Sequence, residues 1–345
     1  MNFYAPQNHL AELRAEWDNF QQELYPDFVT RKRPANVPDK TPVFSYHDID
    51  QQEFEAHLEF LKRNGYKTVT ADEYLDRGEK AKGERVVMLT FDDGYASVWK
   101  VAYPLLKKYG MKGVAFILPG ETKEAEAPRG AGDRDDTGEP LCTWPELEAM
   151  RGVVDVQSHS LYHFIMFTSD KVEIVYDINI KNRWPKKDLP LVRVDGVDDI
   201  ERSYPLGSPF YGMDSRLSDV RRLFTPAETS DPENKFREES GSEQEEAVRA
   251  CFVESKKIIE GKLPGHSVSH FCLPFSIGGR LAIKSAIEAG YRALYWGVTP
   301  PVYAAEFPEI RHVTRIKSDY IYRLPGDGRK SVATIFLAKF MRRFI

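Results

Sequence analysis

The feature that most restricts this chain is a repeated exchange between short apolar runs and segments of helical period. Val86-Val87-Met88-Leu89-Thr90-Phe91 is the clearest run, six residues long with a single hydroxyl. A strand of that kind, lacking polar alternation, fits a parallel sheet buried on both faces. Shorter runs stand at Val43–Tyr46, Lys67–Thr70, Gly113–Leu118, Val153–Gln157, Ser269–Leu273 and Arg292–Trp296. Helical patterns lie between them. Gln52–Asn64 carries Phe54, Leu58 and Leu61 near helical spacing and meets Gly65 as a stop. Thr143-Trp144-Pro145-Glu146 is a capping box with proline just inside the helix start. Val98–Tyr109, Gln244–Glu260 and Arg280–Ala289 complete the series. The alternation predicts parallel α/β architecture, either a barrel or a doubly wound sheet.

At 345 residues the chain has room for one barrel with additions. A hydrophobic fraction of 41% supports a large core, and a net charge of −5 argues against a generic nucleic-acid binder. Cys142, Cys251 and Cys272 show no CxxC spacing, which excludes a zinc finger and a disulfide scaffold. The opening MNFYAPQNHL has no basic segment followed by an apolar one, and no apolar run approaches membrane-spanning length. The expectation is a soluble, cytoplasmic protein. Its charge is uneven: residues 311–345 carry +7, and residues 226–246 carry −6.

Two stretches break the rhythm. Pro119–Leu141 is rich in Gly, Asp, Glu and Pro and reads as a surface loop. Residues 168–243, with six prolines, are too long for a structureless loop and read as an ordered insertion, a candidate lid. Its aromatic segment Tyr204–Tyr211 suits either sugar stacking or the insertion's own core. The expected division is an N-terminal helical arm and linker at 1–41, a barrel at 42–316 containing the insertion 168–243, and a basic C-terminal helix at 317–345. That helix mixes Val332, Ile335, Phe336, Phe340 and Phe344 with Lys and Arg. Such a pattern serves packing against the barrel or peripheral contact with an anionic membrane surface, here the inner face.

The chemistry gathers at two strand ends. Asp92-Asp93-Gly94 follows the buried run, where α/β folds place their ligands. Adjacent strand residues point to opposite sides, so the two acids can take different roles; capping the next helix is the bland alternative. His159 and His163, in Ser158-His159-Ser160-Leu161-Tyr162-His163, follow the strand Val153–Gln157. Read as one helical turn, i and i+4 face the same way and can hold one metal ion. Two histidines and a carboxylate leave a zinc ion an open position for water, the composition of a hydrolytic site.

TFDDGY followed by SHSLYH, preceded by FSYHDI and FEAHLEFLKRNGYKTVTADEYL, resembles the polysaccharide deacetylases of the NodB-homology group, carbohydrate esterase family 4. The opening segment is similar to the poly-N-acetylglucosamine deacetylase branch. The resemblance implies a deformed (β/α) barrel and metal-dependent removal of an acetyl group from an N-acetylated sugar or polysaccharide. It implies Asp93, His159 and His163 as ligands of a divalent metal, commonly Zn2+, and Asp92 as general base. The Tyr95 backbone N–H is then a candidate for stabilising the oxyanion. The family's third motif carries an Arg two residues before a Pro. Here Cys272 occupies that position before Pro274, and Arg280 is the candidate replacement. No late histidine motif is evident; His312 is the candidate general acid. His47, at the end of the first strand, is expected to support the ligands or touch substrate. Two other readings remain open: a non-catalytic carbohydrate-binding member of the same fold, and a C–N hydrolase of a cyclic amide.

Overall fold

The structure is a computed structural model and describes residues 9–22, 24–32, 38, 40–78, 83–130, 140–191, 193–194 and 200–344. Nine parallel strands form the central sheet. They are β1 (Val43–Tyr46), β2 (Lys67–Thr68), β3 (Val86–Phe91), β4 (Gly113–Ile117) and β5 (Val154–Ser158), then β12 (His270–Cys272), β13 (Ala293–Trp296), β14 (Arg311–Thr314) and β15 (Ile316–Lys317). The order across the sheet is β14-β13-β12-β5-β4-β3-β1-β15, with β2 pairing a second time on β3. Both end strands, β14 and β15, are neighbours in the chain, separated only by Arg315. One residue cannot span an open sheet, so the sheet curls until its two edges nearly meet. This is the deformed parallel barrel that the family resemblance implied, one of the two architectures the strand-helix rhythm allowed.

Every residue of β3 and β4 is buried, as continuous apolar runs require when helices cover one face and side chains fill the other. The helix Gln51–Arg63 buries Phe54, Leu58 and Leu61, and its first turn is capped by the Asp50 side chain accepting from the Glu53 amide at 2.8 Å. Val98–Tyr109 begins as a π-helical turn, Val98–Ala102, before the α-helix Tyr103–Tyr109.

Between β5 and β12 the chain leaves the barrel and builds a roof. Its strands are β6 (Ile165–Val175), β7 (Arg193–Val194), β8 (Ile200–Glu201), β9 (Pro209–Ser215), β10 (Leu223–Phe224) and β11 (Arg237–Glu238), paired antiparallel as β6-β9, β7-β8 and β10-β11. The aromatic segment proves to be core. Phe210 is fully buried, and its ring lies 4.6 Å from Tyr204 and 5.2 Å from Tyr176. Arg216 and Glu239 form a buried pair at 2.6 Å inside this roof, and Arg202 pairs with Glu121 of the barrel at 2.7 Å.

The arm and the C-terminus meet. Glu16, on the helix His9–Gln21, pairs with Lys339 of the helix Val332–Phe344 at 2.5 Å, and Arg323 donates to the Val29 carbonyl at 2.9 Å. Residues 33–37 and 39 of the expected linker, and residues 131–139 of the 119–141 loop, lie outside the described residues.

Candidate active site

The site forms at the C-terminal ends of the strands. His47 follows β1, Asp92 and Asp93 follow β3, His159 follows β5, Leu273 follows β12 and Arg315 follows β14. Together they line a cleft of about 730 Å3 that runs on to Ala15 and Asn19 of the N-terminal arm.

Alternation along β3 alone would have separated Asp92 from Asp93. Instead Asp93 takes a left-handed backbone, φ 68°, followed by Gly94 at φ 75°. Asp tolerates that region better than most residues. Gly94 is required there, because an added Cβ would stand 3.0 Å from Ile117 Cγ2 in addition to the strained φ. The turn swings the Asp93 carboxylate beside the histidines: Oδ1 lies 3.5 Å from His159 Nε2 and 3.7 Å from His163 Nε2.

The histidines reach this point by a different route from the one expected. Residues 159–163 are not a helical turn. Ser160 at φ 77° bends a loop, and that bend brings the two rings to 5.5 Å. Both tautomers are determined by partners on the far side of each ring. His159 Nδ1 donates to the Cys272 carbonyl at 2.9 Å, and His163 Nδ1 lies 2.5 Å from Asp188 Oδ1. Each Nε2 is therefore left with the lone pair that could bind a metal ion.

Asp93, His159 and His163, all buried, offer three ligand atoms within 4.8 Å of one another. Asp93 Oδ1 is buried and accepts no hydrogen bond among the described residues. A buried carboxylate oxygen facing two imidazole lone pairs is costly unless a cation joins them. The donor set of two nitrogens and one oxygen suits a divalent ion such as zinc with a position left open.

Asp92 faces the other way. Arg315 grips it with both guanidinium ends, Nη1 to Oδ1 at 2.5 Å and Nη2 to Oδ2 at 2.8 Å, while Arg315 Nη1 also reaches Thr90 Oγ1 at 3.1 Å. Burial pushes the Asp92 carboxyl upward. Arg315, with His159 behind it, outweighs that and holds Asp92 well below the usual carboxylate range. His47 Nε2 stands 3.8 Å from Asp92 Oδ2 on the exposed side.

The remaining expected residues divide. Cys272 is buried with Sγ 3.7 Å from Asp92 Oδ1, and burial drives its thiol pKa far up, so it packs as a neutral group behind Asp92. Pro274 is buried and starts the turn Pro274–Ser276, which lays Phe275 against His163 with ring centroids 4.0 Å apart. Tyr95 lines the cleft. Its bridge to Leu141 uses the Gly94 carbonyl and the Ala96 amide, so the Tyr95 N–H takes no part in that ladder.

Arg280 is not the replacement arginine. It lies on the surface in an ion pair with Glu306 at 2.8 Å, carried there by a helix that starts well beyond the strand end. His312 is not at the site either. As a residue within β14 it points outward, accepts from Trp296 Nε1 at 3.1 Å, and has Nε2 3.2 Å from the Phe307 carbonyl, lining a separate cavity.

Three residues escaped the sequence reading: Arg315, Lys187 and Asp188. Arg315 sits three positions after His312 at the end of a strand, and strand-end position was the signal that could have found it. No local pattern marks Lys187 or Asp188, which come from the roof. Lys187 Nζ lies 3.2 Å from Asp93 Oδ2 and 3.1 Å from Asp188 Oδ1.

Such a site sets two histidines and a carboxylate beside a second, arginine-held carboxylate at the mouth of a parallel barrel, a donor set compatible with a hydrolytic metal centre. Residues 79–187 match the polysaccharide deacetylase family. A segment of 91 residues is 42% identical to YxkH of Bacillus subtilis, whose polysaccharide deacetylase name is itself provisional; this covers 24% of the present chain and 33% of YxkH. A segment of 79 residues is 34% identical to the poly-beta-1,6-N-acetyl-D-glucosamine N-deacetylase of Staphylococcus aureus, covering 23% of this chain and 27% of that enzyme. The chain thus matches about a third or less of the length of these curated relatives. The fold is shared more widely. The deacetylase domain of BpsB from Bordetella bronchiseptica superposes with a TM-score of 0.53 at 18% identity, over 83% of this chain and 98% of that one. A de-N-acetylase from Aggregatibacter actinomycetemcomitans gives 0.50 at 18%, over 81% and 96%.

Proposed function

We propose that this protein hydrolyses the acetamide of an N-acetylated sugar polymer, using Asp92 as general base and Asp93, His159 and His163 to hold a divalent metal, zinc fitting the donor set. The observation that carries this reading is the opposed orientation of two neighbouring aspartates, one joined to two imidazoles and the other clamped by Arg315. A divalent ion so held would polarise the acetyl carbonyl and acidify the attacking water.

The chain's own residues do the rest. Arg315 holds Asp92 in place and keeps it ionised, the form in which it can accept a proton from water. The Tyr95 N–H is the backbone donor available to the developing oxyanion. The departing amine needs a proton. Of the histidines lining the cleft, His159 and His163 are committed as ligands, which leaves His47 at the exposed rim beside Asp92 as the donor. A non-catalytic carbohydrate-binding role is motivated by the missing third-motif Arg and by the lack of a clear general acid; Arg315 answers the first by bringing a guanidinium to Asp92 from another strand end.

The test is acetate release from partially acetylated β-linked glucosamine oligomers by zinc-loaded protein. Asp92→Asn should lower the rate by about 10²–10⁴-fold while leaving bound metal unchanged. Acetate release that persists unaltered in Asp92→Asn, or its absence from the wild type on every acetylated glycan, overturns the reading.

Peripheral membrane contact, with a cytoplasmic location at the inner face, is a second proposal. No helix of the described residues is long and apolar enough to cross a membrane. The helix Val332–Phe344 turns Ile335 and Lys339 inward and leaves Leu337, Phe340 and Met341 exposed beside Trp17 of the arm. Residues 329–345 hold five Lys and Arg and no acid, although Lys339 and Arg342 are spent on pairs with Glu16, Glu53 and Asp319. Cosedimentation with vesicles rich in anionic phospholipid, lost in Leu337→Asp, is the expected result; equal recovery with and without vesicles refutes it.

A further inference from the structure

Each presumed ligand is held on its far side by a distinct group, and two of those groups are adjacent residues of the roof. Asp188 lies 2.5 Å from His163 Nδ1, and Lys187 lies 3.2 Å from Asp93 Oδ2. Both stand on one short 3-10 turn, Lys186–Asp188, which follows Pro185 and precedes Leu189, a member of the roof's own apolar core. That packing holds the turn over the ligands. Lys187 is almost wholly buried, with its ammonium 5.7 Å from the Tyr95 ring centroid.

We infer that this turn sets the affinity of the metal site, and that its two residues act in opposite directions. Asp188 accepts from His163 Nδ1–H, which fixes Nε2 as the lone-pair nitrogen and makes the imidazole a better donor. Lys187 does the reverse. Its fixed positive charge draws on the same Asp93 carboxylate that a metal cation would use, and like charges a few ångströms apart in a buried setting repel strongly. The roof is therefore a positioning and tuning element for the ion, rather than only a cover for substrate. This rests on the reading of Asp93, His159 and His163 as a metal site.

The test uses the full chain, stripped of metal, and Zn2+ in competition with a chromogenic chelator. Asp188→Asn should bind Zn2+ roughly 10–100-fold more weakly than wild type. Lys187→Met should bind it about tenfold or more tightly. A turn that merely keeps the roof folded would shift both variants the same way, so shifts of equal sign overturn the inference. So does wild-type affinity in Asp188→Asn. Wild-type protein that binds no divalent ion refutes the metal site itself, a separate failure. Should a variant not fold, the nitrogen-15 shifts of His163 in the metal-free wild type decide: protonation at Nδ1 is expected, and a proton on Nε2 overturns the role of Asp188.

Discussion

The floor and the roof of the cleft reach the same few atoms by different physical means. The floor is a set of strand ends. Asp92, Asp93, His159 and Arg315 project from the ends of β3, β5 and β14 in a parallel barrel, and the amides of Asp92, His159 and Arg315 bond to carbonyls of neighbouring strands. The roof is an excursion between β5 and β12 with its own apolar core and a few buried ion pairs, and it delivers Lys187 and Asp188 on a single short turn. A floor of that kind tolerates little movement, whereas a roof with a separate core can change with the substrate it covers. On the proposed function, the floor carries the reacting groups and the roof tunes them.

Breaking the floor should cost most. Arg315→Met leaves the buried Asp92 carboxylate without its partner, and a loss of about 3–5 kcal/mol in unfolding stability is expected by chemical denaturation. Asp92→Asn in the same chain should restore much of that stability and none of the activity. If Arg315→Met alone is neutral, the floor is not the rigid half. In the roof, Phe210→Ala removes a fully buried ring at a cost of about 3–5 kcal/mol. That loss should appear as early protease cleavage within 165–240 while the barrel remains resistant. Simultaneous loss of both parts would show one cooperative unit and erase the distinction.

Acid sharpens the comparison from the barrel side. His57 is buried behind β1, with Nδ1 3.0 Å from the Tyr46 hydroxyl, and burial lowers its pKa from 6.5 to about 4. The fold therefore prefers its neutral form, and the unfolded chain binds the proton more readily. Its contribution is fully present above about pH 6.5 and is lost as pH falls toward 4, amounting to about 3 kcal/mol across that window. Unfolding free energies at pH 7 and pH 4.5 should differ markedly less in His57→Gln than in wild type; equal differences would contradict it. The smallest effect belongs to Arg280→Ala. Its pair with Glu306 is exposed, so the unfolding midpoint should barely move and acetate release should change by less than about twofold.

Much of the floor was legible because its signals are local. A continuous apolar run ending in Asp92-Asp93-Gly94 specifies a buried strand and a tight exit within nine residues. His159 and His163 stand directly behind another strand. Even there the local reading misjudged one means: a bend at Ser160, rather than a helical turn, brings His159 and His163 together, beside an Asp93 with a left-handed backbone. Arg280 and His312 were drawn in by proximity in sequence to the third motif and to the chain's end. The barrel sends one to the surface and turns the other into a side cavity.

What the sequence by itself determined was the parallel α/β architecture, the strand ends that carry chemistry, and the residue types able to hold a cation there. Each depends on contacts between residues a few positions apart, which composition and period express directly. Only the tertiary structure decided which arginine meets Asp92 and which groups stand behind the ligands. Arg315 arrives 223 residues after its partner because barrel closure brings the two edges of the sheet together. Lys187 and Asp188 arrive because an aromatic core elsewhere in the roof fixes their turn above Asp93 and His163. Such meetings follow from how distant surfaces pack, and no local pattern records them.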